Sequence, residues 1–143
     1  MRGPAVSSSS RLFPGPTLLS LGVARRAALV WGGFLLTLTS WPRPPEVPIL
    51  SGIPNFDKTV HLGLYGVEAF FLYASIRWPG RARFSLLRVL AVVGAMAVWG
   101  TADEVHQHWI PGRSVEAGDA GADTLGALFG SLAASARSSL RRG

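Results

Sequence analysis

Apolar residues along this chain fall into four runs separated by short polar or proline-rich gaps. Ala27 to Trp41 is apolar and aromatic, and it is stopped by Pro42 and the Pro44-Pro45 pair, which cannot continue a helix. Val60 to Trp78 forms the second run and ends at Pro79-Gly80. Phe84 to Ala102 is the third, and Asp119 to Ala136, made largely of Gly, Ala, Leu and Ser, is the fourth. The pattern predicts an all-α protein, a polytopic membrane bundle of about four transmembrane helices. The first run is short. At about 1.5 Å per residue it needs length from Leu18 to Val23, and Arg25 and Arg26 have to snorkel. A basic pair before an apolar stretch is also the order of a secretory signal, but Thr37 to Trp41 offers no convincing cleavage site, so the reading is a retained helix.

These runs set the domain organisation. Residues 1–22, with Ser7 to Ser10 and Pro14-Gly15-Pro16, read as a disordered lead. Residues 23–137 read as one transmembrane domain whose polar motifs lie in 57–130, and residues 138–143 as a basic tail. The stretch from Pro42 to Phe56 is a proline-rich loop.

Composition agrees with the membrane reading. Only 15% of the residues are charged and mean hydropathy is +0.31, whereas soluble domains are about 25% charged. There are 14 basic residues against 8 acidic ones. The excess does not point to nucleic acid, because the arginines flank apolar runs, as topology requires. Arg2, Arg11, Arg25 and Arg26 precede the first run, Arg77, Arg81, Arg83 and Arg88 surround the gap between the second and third, and Arg137, Arg141 and Arg142 follow the fourth. The other two gaps hold only Arg43, Lys58 and Arg113. The positive-inside rule therefore predicts an N-in/C-in topology, with both polar motif clusters on the outer side. Every acidic residue except Glu68 belongs to those outer gaps or to the outer helix ends. With no cysteine, disulfides, thiolate catalysis and Cys-ligated zinc are excluded.

Polar side chains at membrane depth are costly, so these clusters are the candidate site. Asp57, His61, Tyr65 and Glu68 are spaced by four, four and three, which puts them on one helix face descending roughly 16 Å. Asp57 could equally cap its helix. In the other cluster Asp103 is related to His106 by three and to Gln107 by four, while Glu104 pairs with His108. Carboxylates and histidine at such spacings ligate a divalent metal or serve as acid and base, and Asp57, His61, Asp103 and His106 are the metal candidates. The rival account is internal pairing of Asp103 and Glu104 with Lys58 and Arg113. No cofactor motif is present, and no HExxH-type ligand pattern either. Pro111-Gly112-Arg113-Ser114 is a turn that presents a guanidinium suited to carboxylate or phosphate. Asp119 suits a cap or first-turn position, whereas Asp123, a turn further in, needs a partner. Gly126 and Gly130 have the small-xxx-small spacing that lets two helices approach closely.

Taken together, Asp57-Lys58-x-x-His61-x-x-x-Tyr65, Asp103-Glu104-x-x-Gln107, Pro111-Gly112-Arg113-Ser114, Asp119 and Thr124-x-Gly126-x-x-x-Gly130 resemble the VanZ-like family of small bacterial membrane proteins. The resemblance spans Asp57 to Gly130, about half the chain. It departs at Asp123, where the family usually has Asn. The family's founding member is associated with low-level resistance to the glycopeptide teicoplanin, in a cluster that remodels peptidoglycan precursors, and its mechanism is not established. The resemblance implies a multi-pass protein of the bacterial cytoplasmic membrane with a cell-envelope role.

The expected function is an outward polar site that binds an anionic envelope component, such as a lipid head group, a glycolipid precursor or a glycopeptide. Arg113 and Lys58 would neutralise the anion; Asp57, His61, Asp103, Glu104 and Gln107 would orient it or hold a metal beside it. A second expectation is a membrane-embedded hydrolase or transferase using a carboxylate with His61 or His106. A third is a structural subunit whose polar residues only join helices.

Overall fold

The computed structural model describes residues 19–43, 53–77 and 85–140. The Pro44-Pro45 pair, the Pro79-Gly80 gap with Trp78, Arg81 and Arg83, residues 1–18 of the lead, and tail residues 141–143 lie outside them.

Four helices account for most of the described residues: α1 (Leu21–Thr39), α2 (Phe56–Ser75), α3 (Leu86–Gln107) and α4 (Ala117–Leu140). Ser20 caps α1, its Oγ accepting from the Val23 amide at 3.2 Å, so helical order begins at Leu21, inside the stretch read as lead. Such a cap satisfies one of the donors a helix start leaves orphaned. α2 starts after Asn55, whose φ of 58° is left-handed, and Asp57 sits in the first turn rather than at the cap. α3 runs past Ala102 to Gln107, so Asp103 and Glu104 are helical. α4 starts at Ala117 and holds Asp119 in its first turn, where a carboxylate faces the positive end of the helix dipole.

The helices alternate in direction, as two cross-links show. Ser40, after α1, lies 3.2 Å by its Oγ from Nε2 of His106 near the end of α3. At the opposite end Arg25 of α1 donates through Nε to the Ser75 carbonyl of α2 at 3.2 Å. The end of α1, the start of α2, the end of α3 and the start of α4 therefore share one end of the bundle.

α2 is central. Its most extensive interface is with α4; α3 packs chiefly on α4 and α1 on α2. The α2–α4 crossing is backbone on backbone. A Cβ added at Gly126 would collide with the Leu62 carbonyl oxygen, and one at Gly130 with that of Gly66. Only glycine admits that approach. Around the crossing Leu35, Tyr65, Ala69, Tyr73, Val89, Val92, Met96, Ala127 and Ala134 form a buried apolar cluster. Trp31 extends it towards α1, its indole N–H donating to the Leu64 carbonyl at 2.9 Å.

The outer surface is also apolar. Leu29 is 78% exposed on α1, and Leu87 and Val98 are 77% and 72% exposed on α3. Among the described residues, α1 and α3 are the two helices long and apolar enough to cross a membrane.

Candidate functional site

The shared end of the bundle holds an unusual density of buried polar groups. Asp103, Glu104 and Gln107 of α3 and Asp119 and Asp123 of α4 are all buried, and His61 of α2 is nearly so. Helical periodicity explains the selection on α3. At about 100° per residue, Gly100, Asp103, Glu104 and Gln107 share one face, while His106 lies about 110° from its centre. His106 is accordingly exposed on the rim against Ser40, and His108, beyond the helix, is exposed with its ring edge-on to Trp109. Neither His106 as a metal ligand nor the expected Glu104–His108 pairing survives this geometry.

Lys58 organises the rim. Its ammonium donates to Asp57 Oδ2 at 2.8 Å, Glu116 Oε2 at 2.9 Å and Asp119 Oδ1 at 3.1 Å. These bonds, that from Asp57 first, hold the lysine charged far above its ordinary value of 10.5. In return Lys58 keeps the Asp57 and Glu116 carboxyls below their ordinary 3.8 and 4.5. The expectation that Lys58 offers its charge to an anion is thereby corrected, because three carboxylates already surround it.

One layer deeper, His61 Nδ1 lies 2.9 Å from Asp123 Oδ1, while its Nε2 faces Asp119 Oδ2 at 3.8 Å. Asp123, the residue without a foreseeable partner, is thus paired with a histidine. It fits because Gly100 has no side chain: a Cβ there would stand 2.9 Å from Asp123 Oδ2. Tyr65 stacks on His61 with ring centroids 6.2 Å apart and donates its hydroxyl to Asp103 Oδ2 at 2.8 Å.

The turn after α3 closes the site. Gly112 takes a left-handed φ of 82°, which directs Arg113 back to α3, where its Nε donates to Gln107 Oε1 at 3.1 Å. Among the described residues Arg113 forms no ion pair with Asp103, Glu104 or Asp119, and the internal pairing expected for Asp103 and Glu104 is replaced by other bonds. Glu104 Oε2 instead accepts from the Glu116 amide at 2.9 Å. Ser114 stays on the exposed rim, its Oγ donating to Glu116 Oε1 at 3.4 Å.

Several buried atoms at this end have no hydrogen-bond partner: Asp103 Oδ1, Glu104 Oε1, Gln107 Nε2 and Asp123 Oδ2. Buried polar atoms are nearly always satisfied, so four orphans in one place mark where a ligand or water would bind. Ligand atoms of His61, Glu104 and Asp119 lie within 4.8 Å of one another, as do those of Asp57, Glu116 and Asp119. The second group already encloses Lys58. The first differs from the set expected by spacing, since Asp57 belongs with Lys58 and Asp103 with Tyr65.

Glu116 is the site residue that sequence reasoning left out. Its signal was available: a third carboxylate just before Asp119, opposite the only lysine. Glu68 sits apart, buried beside Gly32 and Trp99 with Oε2 unpartnered. Comparison of the chain with protein-family models, characterised proteins and solved structures finds no match.

Proposed function

We propose that this chain is a VanZ-like protein of the bacterial cytoplasmic membrane, crossing four times with both termini inside. Its polar end then faces outwards and binds an anionic cell-envelope component. The membrane reading is supported by the apolar outer surface of α1 and α3 and by arginines near the opposite helix ends, Arg25 and Arg137 among them. In water such surface would be an interaction or aggregation patch; in lipid it is solvated.

One observation carries the binding reading. Arg113 leans on Gln107, and the buried Gln107 Nε2 has no partner, so two donors converge where the turn meets α3. A guanidinium beside an amide N–H matches a phosphate or carboxylate. Nearby Asp103 Oδ1 and Glu104 Oε1 can accept from hydroxyls of the same head group or share a cation with it. Arg113→Ala and Arg113→Lys, expressed in a bacterial host, test this. At unchanged protein abundance, Ala should abolish any effect of the protein on glycopeptide or envelope-stress susceptibility, and Lys should restore little because it loses the planar fork. Wild-type behaviour of Arg113→Ala would refute the reading.

A second reading, a membrane-embedded hydrolase or transferase, draws on the His61–Asp123 contact of 2.9 Å. A carboxylate that orients an imidazole is the arrangement a general base uses. Turnover of a phospholipid or polyprenyl substrate that is lost in His61→Gln would favour it.

A further inference from the structure

We infer that His61, Glu104 and Asp119 form a binding site for one first-row divalent metal ion, such as zinc or manganese, at the polar end of the bundle. The inference deepens the proposed envelope-binding function and rests on it only for what the ion does there, not for whether the ion binds.

Three elements supply one ligand each, α2 through His61, α3 through Glu104 and α4 through Asp119, and these ligand atoms lie within 4.8 Å of one another. Bonds of about 2.0–2.2 Å at tetrahedral angles put an ion's ligand atoms about 3.3–3.6 Å apart. The 3.8 Å from His61 Nε2 to Asp119 Oδ2 is close to that spacing, and it is too long for a hydrogen bond. An ion would therefore draw the three ligands together, the widest pair by up to about 1.5 Å.

The surroundings point the same way. An ionised carboxylate only accepts, so in the neutral imidazole the contact with Asp123 Oδ1 at 2.9 Å puts the proton on Nδ1 and leaves the Nε2 lone pair for a metal. A histidine whose second nitrogen donates to a carboxylate is the usual outer-shell support of a metal ligand. Glu104 is 4% exposed and its Oε1 has no hydrogen-bond partner, while Oε2 is fixed by the Glu116 amide. Asp119 is 8% exposed and divides its oxygens, Oδ1 to Lys58 and Oδ2 towards His61. His61 thus has the carboxyls of Glu104, Asp119 and Asp123 around it, and of these Asp119 is bonded to the Lys58 ammonium. The imidazole favours a transition metal over calcium or magnesium.

The test uses the full chain purified in lipid nanodiscs and titrated separately with Zn2+ and Mn2+. The wild type should bind about one equivalent saturably, Glu104→Gln and Asp119→Asn should abolish that binding, and Asp123→Asn should weaken it about 10–100-fold. Glu116→Gln, in the neighbouring carboxylate group, should leave affinity within about twofold because it removes no ligand. Absent saturable binding, or binding lost in Glu116→Gln and kept in Glu104→Gln, would overturn the assignment. Should site variants fail to fold, the His106→Ala/His108→Ala chain, altered only at exposed rim positions, retains His61 as its sole histidine. Spin-echo spectra of bound Mn2+ should then show a directly coordinated imidazole nitrogen. Their absence would refute His61 as a ligand. Either result stands whatever the envelope assays of Arg113 variants give.

Discussion

His61 Nδ1 and Asp123 Oδ1 meet at 2.9 Å, and this contact joins α2 to α4 at the polar end of the bundle. Asp123 is 1% exposed, so only protein, a buried water or a bound ligand can satisfy it. Asp123→Leu should lower stability by about 1–3 kcal/mol, because His61 then keeps a donor without a partner. Asp123→Asn retains an oxygen acceptor and should cost less, about 1 kcal/mol or under. Unfolding titrations in mixed detergent read both. If Asn proves as damaging as Leu, the hydrogen bond is not what Asp123 contributes to the fold.

The α2–α4 crossing makes a sharper prediction. A methyl at Gly130 meets the Gly66 backbone carbonyl, which cannot step aside, whereas a Cβ at Gly63 of the same helix pair meets nothing within 4 Å. Gly130→Ala should cost upwards of about 3 kcal/mol, beyond the usual range for overpacking, and Gly63→Ala should be neutral or slightly stabilising. Comparing the yield and melting temperature of the two proteins decides it. Equal behaviour would mean that the helices are not in backbone contact.

Acid should release the rim. Asp57 and Glu116 have depressed pKa values beside Lys58, so their contribution is complete above their ordinary values of 3.8 and 4.5 and is lost as the pH falls through the lower folded values. The lysine pKa is raised, so its share is complete below 10.5 and is lost only as the pH rises well beyond that. Amide protection of Asp119, whose N–H donates to the Glu116 carbonyl at 2.9 Å, should, corrected for intrinsic exchange, be level between about pH 5 and 10 and fall below about pH 4. All three side chains are partly exposed, and the decline should be modest in high salt. A maximum near pH 6 followed by loss towards pH 9 would contradict this network.

Much of the architecture was legible in the chain because helices announce themselves by apolar length and by proline stops. The apolar runs from Ala27 and Phe84 correspond to α1 and α3, and the small-residue spacing of Gly126 and Gly130 coincides with the closest helix approach. Helix ends were less legible. Ser20 as a cap and the continuation of α3 to Gln107 depend on single side chains and on tertiary support rather than on pattern. Within the site, spacing found the polar face of α2 but put His106 with Asp103, since i and i+3 both fit a face whose centre only packing can locate. The partners of Lys58 and Arg113 were illegible for a related reason. Charge told that each would find an oxygen, while the left-handed turn at Gly112 decided that Arg113 would meet Gln107 rather than a carboxylate.

The most direct test of the account is which face of the membrane carries the polar end. The chain contains no cysteine, so Ser114→Cys on the exposed rim and Arg137→Cys at the other end of α4 each introduce a single reactive thiol. Arg141 and Arg142 remain to hold the orientation. With a membrane-impermeant maleimide on intact cells, the account predicts labelling at position 114 and none at position 137 until the membrane is permeabilised. Labelling at 137 with protection at 114, or equal labelling of both in intact cells, would contradict it.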